Sequence, residues 1–216
     1  MLRRVVFVAL MSFLTVLLSA YAGATSILYS NLTGQLYTGG YWLSGSKIVV
    51  NQVMAMPFTP DATMNIADAV LGLSNYVGPG SRVIAYLESD NGGVPGNILD
   101  TLSQVGTIPP YTAGAALLTF KCASCPVVDV GTQYWIVALE PNPNTIQLWA
   151  FPLPKPSGLV ASNETGSATG PWYADTNNVV SAFQVDGGSS PTPESGTIVM
   201  LVSALLVAGS GIRRKN

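Results

Sequence analysis

Residues 133–151, QYWIVALEPNPNTIQLWAF, decide the fold class of this chain. They hold two short apolar runs, Gln133–Leu139 and Ile146–Phe151, on either side of Pro141–Asn144. The runs are rich in β-branched and aromatic residues, which suit a pleated and half-buried surface. Proline fixes φ and asparagine tolerates a positive φ, so the segment between the runs favours a turn. The stretch therefore predicts two β-strands joined by a turn.

The same alternation of apolar runs and turn-forming residues extends in both directions, from residue 25 to residue 188. No segment of this region sustains the 3.6-residue period of an amphipathic helix. We therefore predict one all-β domain, a β-sandwich or jelly roll, over residues 25–188. The predicted strands are Ser26–Ser30, Lys47–Met54, Met64–Leu73, Ser81–Ser89, Asn97–Val105, Ala115–Lys121, Gln133–Leu139, Ile146–Phe151 and Val179–Val185.

Residues 1–24, MLRRVVFVALMSFLTVLLSAYAGA, predict a signal peptide. Arg3 and Arg4 precede the apolar run Val5–Leu18, and small residues near position 24 offer a cleavage site. This three-part pattern is typical of a secretory leader that is removed on export. An uncleaved anchor is the alternative, although the run is short for a membrane span of about 20 residues.

The C-terminus carries a second targeting pattern, with a linker at 189–193 and a sorting or transmembrane segment at 194–216. The apolar stretch Thr197–Ile212 predicts a hydrophobic helix of marginal length for a full span. The basic cluster Arg213, Arg214 and Lys215 follows it and would stay on the cytoplasmic side of the membrane. The alternative to a sorting signal is a plain permanent anchor.

The tail resembles the PEP-CTERM sorting signal in its motif, its apolar helix and its basic end. The motif is Pro193, Glu194 and Ser195, and Ser195 stands where that family usually has a second proline. The resemblance implies cleavage by an exosortase-like processing enzyme. It further implies a bacterial protein that is exported, held at the membrane before processing, and then passed to the cell surface or the exopolysaccharide and biofilm matrix.

Four segments of the middle region, in order, resemble the choice-of-anchor R domain of bacterial surface proteins. These segments are Val53–Thr59, Val83–Gly96, Gly131–Val137 and Ala182–Gly187. The resemblance implies a secreted β-sandwich with an interchangeable sorting tail. It implies no catalytic residue.

Charge and histidine content exclude several classes of function. Charged residues make up 9% of the 216-residue chain, against roughly 25% in an average soluble domain. A nucleic-acid partner is not expected, because such binding needs many Lys and Arg side chains. The chain has no histidine, which excludes Ser-His-Asp triads and histidine-bound zinc. Residues 25–188 hold four basic and ten acidic side chains, hence a net charge of −6, so anionic polymers are not expected to bind by charge.

Cys122 and Cys125, in the sequence CASC, are the two cysteines of the chain. A redox centre would need a helix after the first cysteine, and this motif lies between two predicted strands. A zinc site would need further cysteine or histidine ligands that the chain lacks. In an exported protein the pattern favours an intramolecular disulfide that closes a short loop.

Trp172 and Tyr173 are the candidate ligand-facing aromatic pair, because exposed aromatic rings stack on the apolar faces of sugars. Packing of a long loop against the domain is the alternative. Trp135 and Trp149 lie in predicted strands and are expected in the core. The remaining aromatic candidates in loop-like stretches are Tyr37, Tyr41, Trp42 and Tyr111.

No residue is singled out for catalysis, and no metal or cofactor is predicted. A structural calcium ion at Asp90–Gly93 or Asp175–Asn178 stays a weaker alternative to ordinary turns. Glu88 and Asp90 are a same-strand pair of acids, but no motif selects them for glycoside hydrolysis. We therefore expect a non-catalytic structural or adhesive surface protein, with extracellular polysaccharide as its candidate partner. The alternative is a secreted polysaccharide-acting enzyme or a carbohydrate-binding module.

Overall fold

The structure, a computed structural model, describes residues 25–32, 37–45, 51–79 and 82–188. The predicted signal peptide (1–24), the linker (189–193) and the sorting segment (194–216) lie outside these residues. The first part of the predicted strand Lys47–Met54, up to residue 50, lies outside them as well. Within the described residues, no helix is long and apolar enough to cross a membrane.

The described residues form thirteen β-strands and one short 3-10 turn at Tyr111–Ala113, without any α-helix among them. All strand pairs are antiparallel, so the prediction of an all-β domain is confirmed. The strands are β1 (Ser26–Ser30), β2 (Tyr37–Ser44), β3 (Val53–Phe58), β4 (Met64–Val77), β5 (Ile84–Asp90), β6 (Pro95–Gln104), β7 (Ala116–Lys121), β8 (Val127–Val128), β9 (Tyr134–Leu139), β10 (Ile146–Pro152), β11 (Ser157–Asn163), β12 (Tyr173–Val179) and β13 (Phe183–Gly188).

One continuous, curled sheet connects the strands in the order β1-β13-β4-β7-β6-β5-β9-β3-β11-β12. The strand β6 joins the two halves of the sheet, because it pairs with β5 on one side and with β7 on the other. The 14-residue strand β4 organises the first half, where it pairs with β13, β7, β8 and β10 along its length. The strand β10 also pairs with β2, which adds an edge to this half.

The curl brings side chains from both halves of the sheet into one main core. Its largest fully buried members are Trp149, Phe58, Phe120 and Phe183, and none of them is more than 2% exposed. The Nε1 of Trp149 donates to the carbonyl of Ala182 at 3.0 Å, which satisfies its one polar atom inside this core.

A second set of buried residues, the outer cluster, lies on the opposite face of β3 and β9. Its members are Val53, Ala55, Trp135, Val137, Leu139, Ala161 and Ala168. Side chains alternate across a strand, so β9 sends Tyr134, Ile136 and Ala138 into the main core and the residues between them into the outer cluster. Burial of both faces explains why this strand reads as an unbroken apolar run.

The segment 164–172, which connects β11 to β12, covers the outer cluster. Ala168 is part of the cluster, and Trp172 packs against it. This cover brings Trp172 close to the turn between β5 and β6, where the candidate site lies.

Several strand predictions are wrong in their bounds, and Met64–Leu73, for example, ends four residues before β4 does. Val179–Val185 is predicted as one strand, but β12 ends at Val179 and β13 begins at Phe183. The residues between them bond to other parts of the sheet, since Val180 N donates to Pro156 O and Ala182 N donates to Ala150 O, both at 2.8 Å. The predicted strand Lys47–Met54 ends too early, because β3 runs on through Pro57 to Phe58. Pro57 pairs with Trp135 of β9 on one side. The pairing of β3 with β11 on the other side ends at Ala55, so the missing N–H of the proline breaks no hydrogen bond between these strands.

Candidate functional site

A groove of about 460 Å³ lies beside the turn between β5 and β6. One wall is formed by the hairpin residues 89–91 and 94–97, and the other by Thr169, Pro171 and Trp172. The lining is mainly polar, with amide, hydroxyl and carboxylate groups next to one indole ring. The groove therefore places part of one indole ring beside several hydrogen-bonding groups.

The hairpin turn is shaped by two glycines and by Asp90. Gly92 and Gly93 have φ values of 68° and 91°, which side chains other than glycine rarely adopt. Asn91 N donates to Val94 O at 2.8 Å and closes the turn. The N–H of Gly93 donates to both carboxylate oxygens of Asp90, at 3.1 and 3.2 Å. The sequence DNGG therefore forms a hairpin turn.

The carboxylate of Asp90 is the acidic group in the groove lining, and its Oδ1 accepts bonds from two further side chains. Gln133 Nε2 donates to it at 2.7 Å, and Trp135 Nε1 donates at 2.8 Å. Burial by itself would raise the pKa of Asp90, but these hydrogen bonds together with backbone N–H groups outweigh it and lower the pKa. Asp90 is therefore a charged anchor of the hairpin.

Trp172 lies partly buried at the groove, with its ring against the outer cluster. Its Nε1 is buried and has no hydrogen-bond partner among the described residues. Gly170 permits this position, because it has a φ of 82° and a Cβ there would lie 2.7 Å from Cδ1 of Trp172.

The structure separates Trp172 from Tyr173. Tyr173 begins β12, is 70% exposed and does not line the groove. Of the other aromatic candidates, Trp149 lies in the main core, and Tyr41 packs edge-on against Phe151 with ring centroids 4.9 Å apart. Trp42 and Tyr111 are exposed, and each contacts Tyr76, which is not among the aromatic residues predicted to face a ligand.

Glu88 precedes Asp90 by two residues but lies in a different environment. It pairs in register with Trp135, so it belongs to the face of the outer cluster, and it is 0% exposed. Neither of its carboxylate oxygens has a hydrogen-bond partner among the described residues. Burial raises the pKa of Glu88 to about 8, so the group is mostly protonated at neutral pH. Because Glu88 does not line the groove, the two acids do not form an open pair around it.

The cysteine motif forms the predicted disulfide, with the Cα atoms of Cys122 and Cys125 5.0 Å apart. It closes the loop between β7 and β8, where no helix follows the first cysteine. Oδ2 of Asp100 accepts the N–H groups of Ala123, Ser124 and Cys125 at 3.0, 3.0 and 3.1 Å. Burial would raise the pKa of Asp100, but these bonds outweigh it and lower the pKa. The carboxylate of Asp100 therefore holds the disulfide loop in place, as in a structural loop.

The two stretches considered for calcium use their oxygens within turns. Asp90 is surrounded by hydrogen-bond donors, which repel a cation, and Oδ1 of Asp175 accepts the N–H of Asn177 at 2.9 Å. In the described parts of the chain, no three Cys, Asp or Glu side chains lie close enough together to hold a metal ion.

No protein-family model, curated protein or solved structure matches this chain. The fold and the site define its class as an antiparallel all-β domain with a polar groove beside one partly buried tryptophan.

Proposed function

We propose that this chain is a non-catalytic, exported protein of the bacterial cell surface or biofilm matrix, whose β-sandwich domain binds extracellular polysaccharide. The observation that carries the proposal is the groove at Trp172, where an indole ring lies beside amide and hydroxyl side chains. Sugars present apolar C–H faces to an aromatic ring and hydroxyl groups to polar neighbours, so this composition matches their chemistry.

The polar groups of the groove suit an uncharged ligand. Asn91, Asn97 and Thr169 supply hydrogen-bond donors and acceptors to it. Asp90 remains ionised there, and residues 25–188 carry a net charge of −6. An acidic polysaccharide would be repelled, so the proposed ligand is a neutral polysaccharide.

Export and sorting complete the proposal. The leader at 1–24 directs secretion, and an exosortase-like enzyme cleaves near Pro193 and Glu194 after the tail has held the chain at the membrane. Release from the membrane then delivers the β domain to the polysaccharide layer.

The test compares binding of the secreted protein to neutral and anionic polysaccharides by affinity electrophoresis. We expect binding to at least one neutral glucan or galactan and none to a polyuronate. Trp172→Ala is expected to weaken binding at the groove about tenfold or more, since an aromatic contact contributes roughly 1–3 kcal/mol. Tyr173→Ala is the matched control, because Tyr173 is the next residue and does not line the groove.

Trp172→Phe is the control for loss of packing, because it keeps an aromatic ring against the outer cluster. The proposal is wrong if no neutral polysaccharide binds, or if Trp172→Ala binds as the unaltered protein does.

A second candidate function is hydrolysis or transfer of polysaccharide. The observation in its favour is that Glu88 and Asp90 lie two residues apart on β5, where burial raises the pKa of Glu88 and hydrogen bonds lower that of Asp90, as in an acid and base pair. This function would require a movement that exposes Glu88, because Glu88 is fully buried. Release of reducing ends from a bound polysaccharide, lost in Glu88→Gln, would favour it over simple binding.

A further inference from the structure

Three exposed aromatic side chains form a second surface outside the groove, which we name the aromatic surface. Trp42, Tyr76 and Tyr111 are 40%, 48% and 48% exposed. The rings of Trp42 and Tyr76 are inclined by only 21° with centroids 6.3 Å apart, and Tyr111 meets Tyr76 edge-on at 5.4 Å. The three rings therefore form one contiguous row.

The backbone fixes the middle ring of this row through a β-bulge. Ile146 of β10 pairs with Val77, and the next residue, Gln147, pairs with Asn75, so Tyr76 has no residue opposite it. A bulge of this kind redirects the side chain of the extra residue. It is also a feature that proteins place beside functional sites.

The outer two rings are held by neighbouring elements. Tyr111 begins the 3-10 turn after Pro110, and Asn75 N donates to Pro109 O at 2.7 Å, which ties this turn to β4. Trp42 lies opposite Leu148 of β10, and Leu148 in turn lies opposite Ser74 of β4. Leu148 is 4% exposed and belongs to neither buried cluster, so it forms an apolar floor between the two strands.

Charge is absent from the elements that build the aromatic surface. The strands β2 and β10 and the 3-10 turn contain no charged residue, and β4 has none after Asp68. These elements offer no charged side chain that could pair with an ionic ligand. The surface therefore suits a ligand that is itself uncharged.

The size of the surface distinguishes a polysaccharide from a protein partner. An aromatic side chain offers about 150–250 Å² in total, so three rings that are less than half exposed offer roughly 300 Å². A stable protein interface needs about 800 Å² on each partner. The area is adequate for a few sugar rings, and it is too small for a stable dimer of this chain.

We propose that Trp42, Tyr76 and Tyr111 bind a neutral polysaccharide chain, and that the domain thereby joins two polysaccharide strands. The second half of this proposal rests on the proposed function of the groove. The first residue of β5, Ile84, pairs with Leu139 at the end of β9, and the turn after β9 leads to Ile146 of β10, which pairs with Val77 beside the aromatic surface. The strand β5 then ends at Asp90 in the groove. Its seven residues span about 20 Å, so the two sites lie near opposite ends of β5.

The two sites also lie on outer faces of different halves of the sheet. Leu43 points into the main core, so its neighbour Trp42 lies on the outside of the first half of the sheet. Trp172 lies on the outside of the second half, against the outer cluster. One polysaccharide strand that fills the groove thus leaves the aromatic surface free for another.

The experiment uses the secreted protein and a panel of soluble neutral oligosaccharides built from glucose, galactose, mannose or N-acetylglucosamine. Calorimetry counts the sites, and clumping of polysaccharide-coated beads reports bridging. We expect two sites in the unaltered protein, one in the double variant Trp42→Ala/Tyr76→Ala, and one in Trp172→Ala. Bridging should disappear in both variants and persist in the control Tyr173→Ala.

The outcomes separate the two proposals. Loss of all binding in Trp172→Ala, with the double variant unchanged from the unaltered protein, overturns the aromatic surface and leaves the groove. A single site that depends on Tyr76 but not on Trp172 supports the aromatic surface and overturns the groove and the bridging. Self-association in analytical ultracentrifugation that the double variant abolishes overturns the polysaccharide assignment in favour of a second copy of the chain. No binding to any member of the panel overturns both sites.

Discussion

The indole Nε1 of Trp135 donates a hydrogen bond to Oδ1 of Asp90 over 2.8 Å, and this contact ties the outer cluster to the rim of the groove. Trp135 is completely buried, whereas Asp90 stands at the exposed end of β5. The same oxygen also accepts from Gln133 at 2.7 Å. Asp90, one of the two acids that the sequence offers for catalysis, therefore holds the hairpin in place.

Asp90→Ala should destabilise the domain by about 1–3 kcal/mol, because it leaves the buried Trp135 N–H without its acceptor. The hairpin wall of the groove should loosen with it, which would weaken polysaccharide binding as well. Urea unfolding measures the stability, and Asp175→Ala is the control, since Oδ1 of Asp175 accepts one exposed backbone N–H. Equal losses in both variants would contradict the anchoring role.

Asp100→Ala should also destabilise the domain, by about 1–3 kcal/mol, since three N–H groups of the disulfide loop lose a shared acceptor. The lowered pKa of Asp100 gives the effect a pH dependence. The stabilisation is present above the unfolded-state pKa of about 3.8 and is lost as the pH falls through the lower folded-state value. Acid unfolding of the unaltered protein and the variant should converge at low pH. A difference in stability that stays constant down to the lowest pH would contradict this origin.

The fold class could be predicted from the sequence because strands buried on one or both faces leave a strong signal. Ser26–Ser30 was predicted with the bounds it has, and β9 was predicted to within one residue at its start. Strands without a regular apolar pattern were missed. The strand β2 contains Gly39 and Gly40, both with positive φ, and β12 is exposed along most of its length. Neither presents the apolar pattern from which strands are predicted.

The candidate site could be predicted only in pieces. Trp172 and Asp90 were each noted as isolated features, but their proximity depends on how segment 164–172 crosses the outer cluster, which no local pattern encodes. Tyr76 was missed because its exposure comes from a bulge that depends on the pairing of β4 with β10. The disulfide was predictable since its two cysteines are separated by only two residues.

Glu88 should make the domain less stable as the pH rises, the reverse of the effect of Asp100. Its pKa is about 8 in the folded state, against an ordinary value of 4.5 for a glutamate side chain, so the folded state binds more protons between these values. Stability is therefore highest below about pH 4.5 and falls by several kcal/mol, as far as this group is concerned, up to about pH 8. Tyr86 is the titratable neighbour, and burial followed by the charge of Glu88 raises its pKa.

The check is thermal unfolding between pH 5 and pH 9 of the unaltered protein, Glu88→Gln and the exposed control Glu164→Gln. Glu88→Gln should be less dependent on pH and should exceed the unaltered protein in stability at pH 9, because an amide cannot ionise. The control should follow the unaltered protein throughout. A parallel pH profile for Glu88→Gln would mean that Glu88 finds a partner for its charge.

Replacement of Pro193 and Glu194 by alanine should leave the protein in the membrane fraction, because the sorting enzyme would no longer recognise the linker. The extracellular form of the unaltered protein should have the mass of a chain that begins near residue 23 or 25 and ends near residue 193. That mass should be lower by the two hydrogens of the Cys122–Cys125 bond. A substitution of Thr192 by alanine, next to the motif, is the control and should be processed normally. An extracellular mass that retains residues 194–216 would contradict cleavage, and the tail would then act as a permanent anchor.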